Sequence, residues 1–123
     1  MKIRSHKDLD IYRIAFESAN LIFELTKIFP KEEKYSPTDQ IRRSSRSVCA
    51  NISEAFRKRR YPKSFISKIV DSEAEAAETQ TWLDFALECE YLSPKLHSEL
   101  FESYNRILGK LVSMARQSDK WTV

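Results

Sequence analysis

Glycine is almost missing from this 123-residue chain: Gly109 stands alone, beside only four prolines, Pro30, Pro37, Pro62 and Pro94. So little turn material argues against many short strands and for a few long helices. It also excludes a glycine-rich phosphate loop. Histidine is scarce too. His6 and His97 are the only two, and neither has a glutamate three residues before it. The Glu-x-x-His pattern of di-iron helical bundles is therefore absent, and no metal or other cofactor is expected. The two cysteines, Cys49 and Cys89, lie 40 positions apart and form no metal-spaced motif. Both are expected to be reduced and to behave as small packing residues. No apolar run approaches the roughly 20 residues of a membrane span. The opening "MKIRSHKDLDIYR" lacks the apolar stretch of a secretory signal, which predicts a cytoplasmic protein with no membrane partner. No Ser/His/Asp or Cys/His arrangement is visible, so the expected function is not enzymatic, with no catalytic residues.

What the chain does have is charge sorted by sign. Residues 42–68 carry nine Lys/Arg against Glu54 alone, whereas residues 71–90 carry seven acids and no base. Neighbouring segments of opposite sign can neutralise each other, within a chain or between copies, and that competes with nucleic acid as the partner of the arginines.

The length suits one domain over residues 1–123 with a real core. Apolar periodicity and proline breaks predict four helices at about 7–29, 37–60, 63–91 and 94–118. Leu9, Tyr12, Phe16, Ala19, Phe23 and Thr26 form the expected stripe of the first, widened by Ala15, Ile22 and Phe29. Ser36 is placed to cap the second helix, with Pro37 in its first turn. Leu96, Leu100, Tyr104, Ile107, Leu108, Leu111 and Met114/Ala115 mark the core side of the fourth. Short connections between long helices favour an all-α, antiparallel up-down four-helix bundle.

At about 100° per residue the second helix puts Ile41, Ser45, Val48, Ile52, Ala55 and Phe56 on its core arc. Arg42, Arg46, Arg57 and Arg60 share a narrow arc beside it, in two pairs roughly 16 Å apart along the axis. Only the short Cys49 and Ser53 lie between them. Ser47, Asn51 and Glu54 point away from the arginines. The third helix has a core stripe of Phe65, Ile69, Ala76, Leu83 and Leu87. It also carries a second row, Asp71, Glu75, Glu78, Trp82, Phe85 and Cys89, acidic at one end and aromatic at the other. Two apolar faces on one helix suggest two neighbours, its own bundle and another subunit, which predicts a homo-oligomer; the alternative is a wide core arc in an irregular bundle.

Arg42, Arg46, Arg57, Lys58, Arg59, Arg60 and Lys63 are the candidate nucleic-acid contacts, because guanidinium forks pair well with phosphate. Aromatics able to stack on bases look sparse nearby: Phe56 faces the core, leaving Tyr61. Backbone contact with little sequence reading is expected, from RNA or DNA. The competing reading is a structural or adaptor oligomer, whose arginines pair with the acids of the third helix in the same or a neighbouring chain.

The stretches "QIRRSSRSVCANISEAFRKR" and "EAAETQTWLDFALECEYL" resemble the four-helix-bundle family encoded within bacterial 23S rRNA intervening sequences. Gln40, Arg42, Arg43, Ser47, Asn51, Ile52 and Glu54 stand at positions of that family's pattern, and "KDLDIYRIAFE" resembles its opening. The glycine usual after the glutamate is Ala55 here, which asks for slightly wider helix spacing. The resemblance implies an antiparallel bundle assembled into a ring, a pentamer in known members. It also implies kinship with accessory proteins of diversity-generating retroelements, and so RNA or DNA and a reverse transcriptase as partners. In that light Asn51, Glu54, Asp71, Glu75, Glu78, Trp82 and Phe85 are the candidate subunit-interface residues.

Overall fold

Pro62 and Pro94 each stand in the first turn of a long helix, where an absent N–H removes no helical bond. Ser93 caps the second of these, its hydroxyl accepting from the Leu96 N–H at 3.2 Å. In the computed structural model, which describes residues 3–122, the long helices are α1 (Asp10–Thr26), α2 (Asp39–Arg57), α3 (Pro62–Glu88) and α4 (Pro94–Arg116), followed by a short α5 (Ser118–Trp121). Residues 1, 2 and 123 of the expected domain lie outside the described residues. There is no strand among the described residues.

Residue pairs joining neighbouring helices rise in number on one as they fall on the other. Ser44 meets Thr79, Val48 meets Ser72 and Glu54 meets Lys68 across α2 and α3. Gln80 meets Asn105 and Asp84 meets His97 across α3 and α4, while Lys110 of α4 closes on Asp10 of α1. The fold is thus an antiparallel up-down four-helix bundle.

The α2–α3 contact is built from small residues. Ser44, Ser45, Val48, Ser72, Ala76 and Thr79 are all fully buried, which lets the two axes approach closely. Their hydroxyls remain satisfied: Ser72 donates to the Val48 carbonyl at 2.9 Å and Thr79 to the Ser44 hydroxyl at 2.8 Å. Serine in the basic segment is therefore partly a packing choice. Ala55, at the position of the family's glycine, is also fully buried.

Several local expectations need correcting. A single π-helical turn, Lys34–Thr38, precedes α2, and Ser36 has non-helical angles there and caps nothing. The second helix ends at Arg57, short of residue 60, because Pro62 disfavours a helical Tyr61 and the chain turns through residues 58–60. The fourth breaks at Gln117 before α5. On α3 Ala86 is buried and Leu87 only half-buried.

The largest difference is on α1. Ile11, Ala15, Ser18, Ala19, Ile22 and Thr26 are buried, whereas Tyr12 and Phe23 are half-buried and Phe16 is 48% exposed. The aromatics stand about 100° round the helix from the centre of the core arc. α1 is apolar over more than half its circumference, so periodicity alone admits both settings. The branched and small side chains fill the bundle, and the rings fall on the edge facing α2.

Candidate nucleic-acid interface

That rotation carries the three α1 rings to the arginine face of α2. The helices are antiparallel, so Thr26 and Phe23 meet the start of α2 while Tyr12 and the preceding turn meet its end. Arg42 Nε donates to Thr26 Oγ1 at 2.8 Å. The Thr26 hydroxyl spends its proton on the Phe23 carbonyl at 3.0 Å, leaving a lone pair to accept from the arginine. Arg42 and Arg46 both lie over the Phe23 ring, their guanidinium carbons 4.7 and 5.1 Å from its centroid. Contacts of this kind hold cations in place at a modest gain.

Between Arg46 and Arg57 the α1–α2 junction opens into a groove of about 320 Å³, with Tyr12 and Phe16 on one wall and Arg46, Cys49, Ala50 and Ser53 on the other. Tyr12 and Phe16 stack, centroids 5.8 Å apart and planes 26° from parallel. Cys49 is the most deeply buried part of that second wall. It is 8% exposed, and burial pushes its thiol up to about 11, so it stays protonated and unreactive at neutral pH. Further along α2, Arg57 and Lys58 border a shallow depression with His6, Ser53 and Glu54.

The remaining cations cluster at the α2–α3 turn. Arg59 is turned inward, its Nε donating to the Phe56 carbonyl at 2.9 Å and its guanidinium 3.7 Å above the Phe56 ring. Arg60 sits in the turn rather than on the arginine arc, and Lys63 is exposed in the first turn of α3. Cations at the end of α2 also face the negative end of its dipole, which is a structural use for some of this charge.

Asp71, Glu75 and Glu78 of α3 are paired with other bases. Arg43 pairs with Glu75 at 3.1 Å and with Glu78, and Lys68 pairs with Glu54 at 3.4 Å and Asp71 at 3.8 Å. Glu78 also accepts from the Trp82 indole N–H at 3.1 Å. Burial alone would raise the Glu78 carboxyl, but the Trp82 and Arg43 hydrogen bonds outweigh it and hold the group below its usual range. Among the described residues, none of Arg42, Arg46, Arg57, Lys58, Arg59, Arg60 and Lys63 forms an ion pair with a carboxylate.

The interface candidates divide along the same line. Glu75, Glu78 and Trp82 belong to the Arg43 network, and Trp82 packs partly against the core. Asn51 is buried, its amide donating to the Ser47 carbonyl at 3.0 Å. Glu54 and Asp71 flank Lys68. Phe85 is different: 53% exposed, it ends an uncharged stripe of Val70, Ala74, Ala77 and Thr81 along the outer face of α3, every member exposed.

Tyr12, Phe16 and Phe23 are the residues that sequence reasoning missed, having assigned them to the core. The spacing of these rings opposite the short Cys49, Ala50 and Ser53 was the available signal. Among the described residues no group of three or more His, Cys, Asp or Glu is placed to hold a metal ion, and no helix is long and apolar enough to cross a membrane.

Comparison with known proteins matches the chain to one sequence family and to solved structures. The sequence model of the 23S rRNA-intervening sequence protein family matches residues 7–113. A solved structure from Bacteroides thetaiotaomicron, described as a protein with unknown function from the S23 ribosomal protein family, superposes with a TM-score of 0.78 at 29% identity, covering 86% of this chain and 95% of that one. No curated protein matches the chain.

Proposed function

The chain belongs to the 23S rRNA-intervening sequence protein family, and from that premise we propose that it is a non-enzymatic homo-oligomer that binds nucleic acid through the basic face of α2. One observation carries the reading. Glu54, Asp71, Glu75 and Glu78 are engaged by Arg43 and Lys68, while the seven candidate cations keep no carboxylate partner among the described residues. Unpaired arginines along a helix are a natural match for phosphate oxygens.

Self-association is supported by the exposed α3 stripe that ends at Phe85, an uncharged and mostly apolar strip that no part of the described chain covers. A ring, a pentamer by family resemblance, and a reverse transcriptase partner are the finer form of this reading, as is a cytoplasmic location. The adaptor reading keeps the oligomer and gives the cations to an acidic protein instead.

Affinity for a generic RNA or duplex should fall steeply with added salt. Charge reversal at Arg57 and Arg60 should abolish binding while light scattering shows the oligomer mass unchanged. Absence of binding at about 50 mM salt and micromolar protein overturns the nucleic-acid reading. Loss of the oligomer in the charge reversals favours the adaptor.

A further inference from the structure

We infer that the α1–α2 groove holds an unpaired polynucleotide strand, with a base stacked on Phe16 and phosphates on Arg42 and Arg46. The inference rests on the nucleic-acid reading above and goes beyond the backbone-only contact expected from the sequence.

Three features of the groove point to a single strand. First, Phe16 is 48% exposed although it stacks on Tyr12, so an aromatic surface extends from the core out to solvent. Bases within a duplex present only their edges, whereas unpaired bases can lay their faces on such rings. Second, the opposite wall is short. Cys49, Ala50 and Ser53 leave the groove open where a larger side chain would close it. Third, its upper end is cationic by construction. Two guanidinium groups share the Phe23 ring, Arg42 is fixed by Thr26, and neither has an acidic partner. Lys27 adds a third cation over the same ring, though it also pairs with Glu24. Like charges gathered over one ring repel, and an anion bound between them relieves that repulsion.

The composition of the groove favours this occupant over an apolar peptide or a second copy. No acid lines it; Glu54, beside the neighbouring depression, is engaged by Lys68. Arg42 and Arg46 at one end and Arg57 at the other bracket roughly 22 Å of α2, with the α1 rings Phe16 and Tyr12 facing the stretch between them, which reproduces the stacking platform and basic track of single-strand binders. These contacts need no 2′-hydroxyl, so RNA and DNA strands are both expected to bind.

The experiment compares a labelled 12-nucleotide oligouridylate, an oligothymidylate of equal length and a 12-base-pair duplex at about 50 mM salt. Wild-type protein should bind both single strands more tightly than the duplex. Phe16→Ala should weaken single-strand binding roughly 5- to 150-fold, the span expected for loss of one stacked base. Duplex binding and oligomer mass should not change, and Phe16→Trp should restore the single strands. Phe16 is half exposed, so helicity by circular dichroism should be unaffected.

Unchanged single-strand affinity in Phe16→Ala, with duplex binding intact, overturns the groove and leaves the basic-face reading standing. An equal loss on single strand and duplex does the same, as does a change in oligomer mass, which would assign the groove to a second copy. Failure of the wild-type protein to bind any of the three overturns both.

Discussion

Arg43 and Arg46 lie three residues apart on α2, yet the structure gives them different work, and replacing each by glutamine separates the two. Arg43 is bound to Glu75 and Glu78, with 47% of its side chain exposed. Arg46 has no acidic partner among the described residues and rests on Phe23. Each exposed pair contributes about 0.2–1 kcal/mol before screening, and Trp82 still bonds Glu78 once Arg43 is gone. Arg43→Gln, which removes both pairs, should therefore lower stability by no more than about 2 kcal/mol in urea denaturation. It should leave the salt dependence of nucleic-acid binding untouched, because an arginine already neutralised by carboxylates releases few counterions. Arg46→Gln should do the reverse. Loss of one phosphate contact reduces the slope of log affinity against log salt by about 0.9 for duplex and about 0.7 for a single strand. Between 50 and 200 mM salt the wild-type protein should thus lose about 3.5-fold more duplex affinity than Arg46→Gln. Fluorescence anisotropy at four salt concentrations resolves that difference. Equal slope changes in the two variants, or an unchanged slope in Arg46→Gln, would refute the division of the arginines into engaged and free.

Other outcomes follow from single features. Glu90 has φ 62° at the end of α3, where the Tyr91 N–H closes on the Ala86 carbonyl at 2.9 Å and the Glu90 N–H on that of Leu87. Glycine belongs at such a position, so Glu90→Gly should raise stability by roughly 0.5–1 kcal/mol. Gly109 is the opposite case: it lies within α4, a Cβ there meets nothing within 4 Å, and Gly109→Ala should stabilise by about 1 kcal/mol. Thermal melts check both, and a loss in either variant rejects the assignment. Cys89 is exposed and Cys49 buried, its thiol raised to about 11. A thiol reagent at pH 8 should accordingly titrate one cysteine quickly and the second only in denaturant; simultaneous reaction of both contradicts the packing. Acid should destabilise the fold. Backbone N–H groups lower the Asp8 carboxyl, Lys110 lowers that of Asp10, and Glu78 is lowered as described. A folded value below the ordinary 3.8 or 4.5 means that the unfolded chain binds more protons in acid. The stability from these groups is full above about pH 5 and is lost as pH falls through the folded values. Urea midpoints from pH 7 to 3 should be flat and then decline, and a rise below pH 5 would contradict the pairings.

The order and kind of the elements were written locally in this chain. Proline at 62 and 94, serine before the latter, and apolar recurrence at threes and fours determine four helices and an up-down bundle, because these signals act within a few residues of where they stand. The charge contrast between α2 and α3 was equally plain, and so was the set of cations with which to look for a partner. Sequence could not apportion that charge. Arg43 and Arg46 are chemically alike, and only the facing of α3 shows which one the acids reach. Nor could periodicity set the rotation of α1, since a helix apolar over more than half its circumference has no single inward side. That choice belongs to packing. Ile11, Ala15 and Ile22 fill the interior between the other helices, while Tyr12, Phe16 and Phe23 stand over the short residues of α2. A row that looked like core became the wall of a groove through that rotation, which depends on side chains far apart in the chain meeting in space.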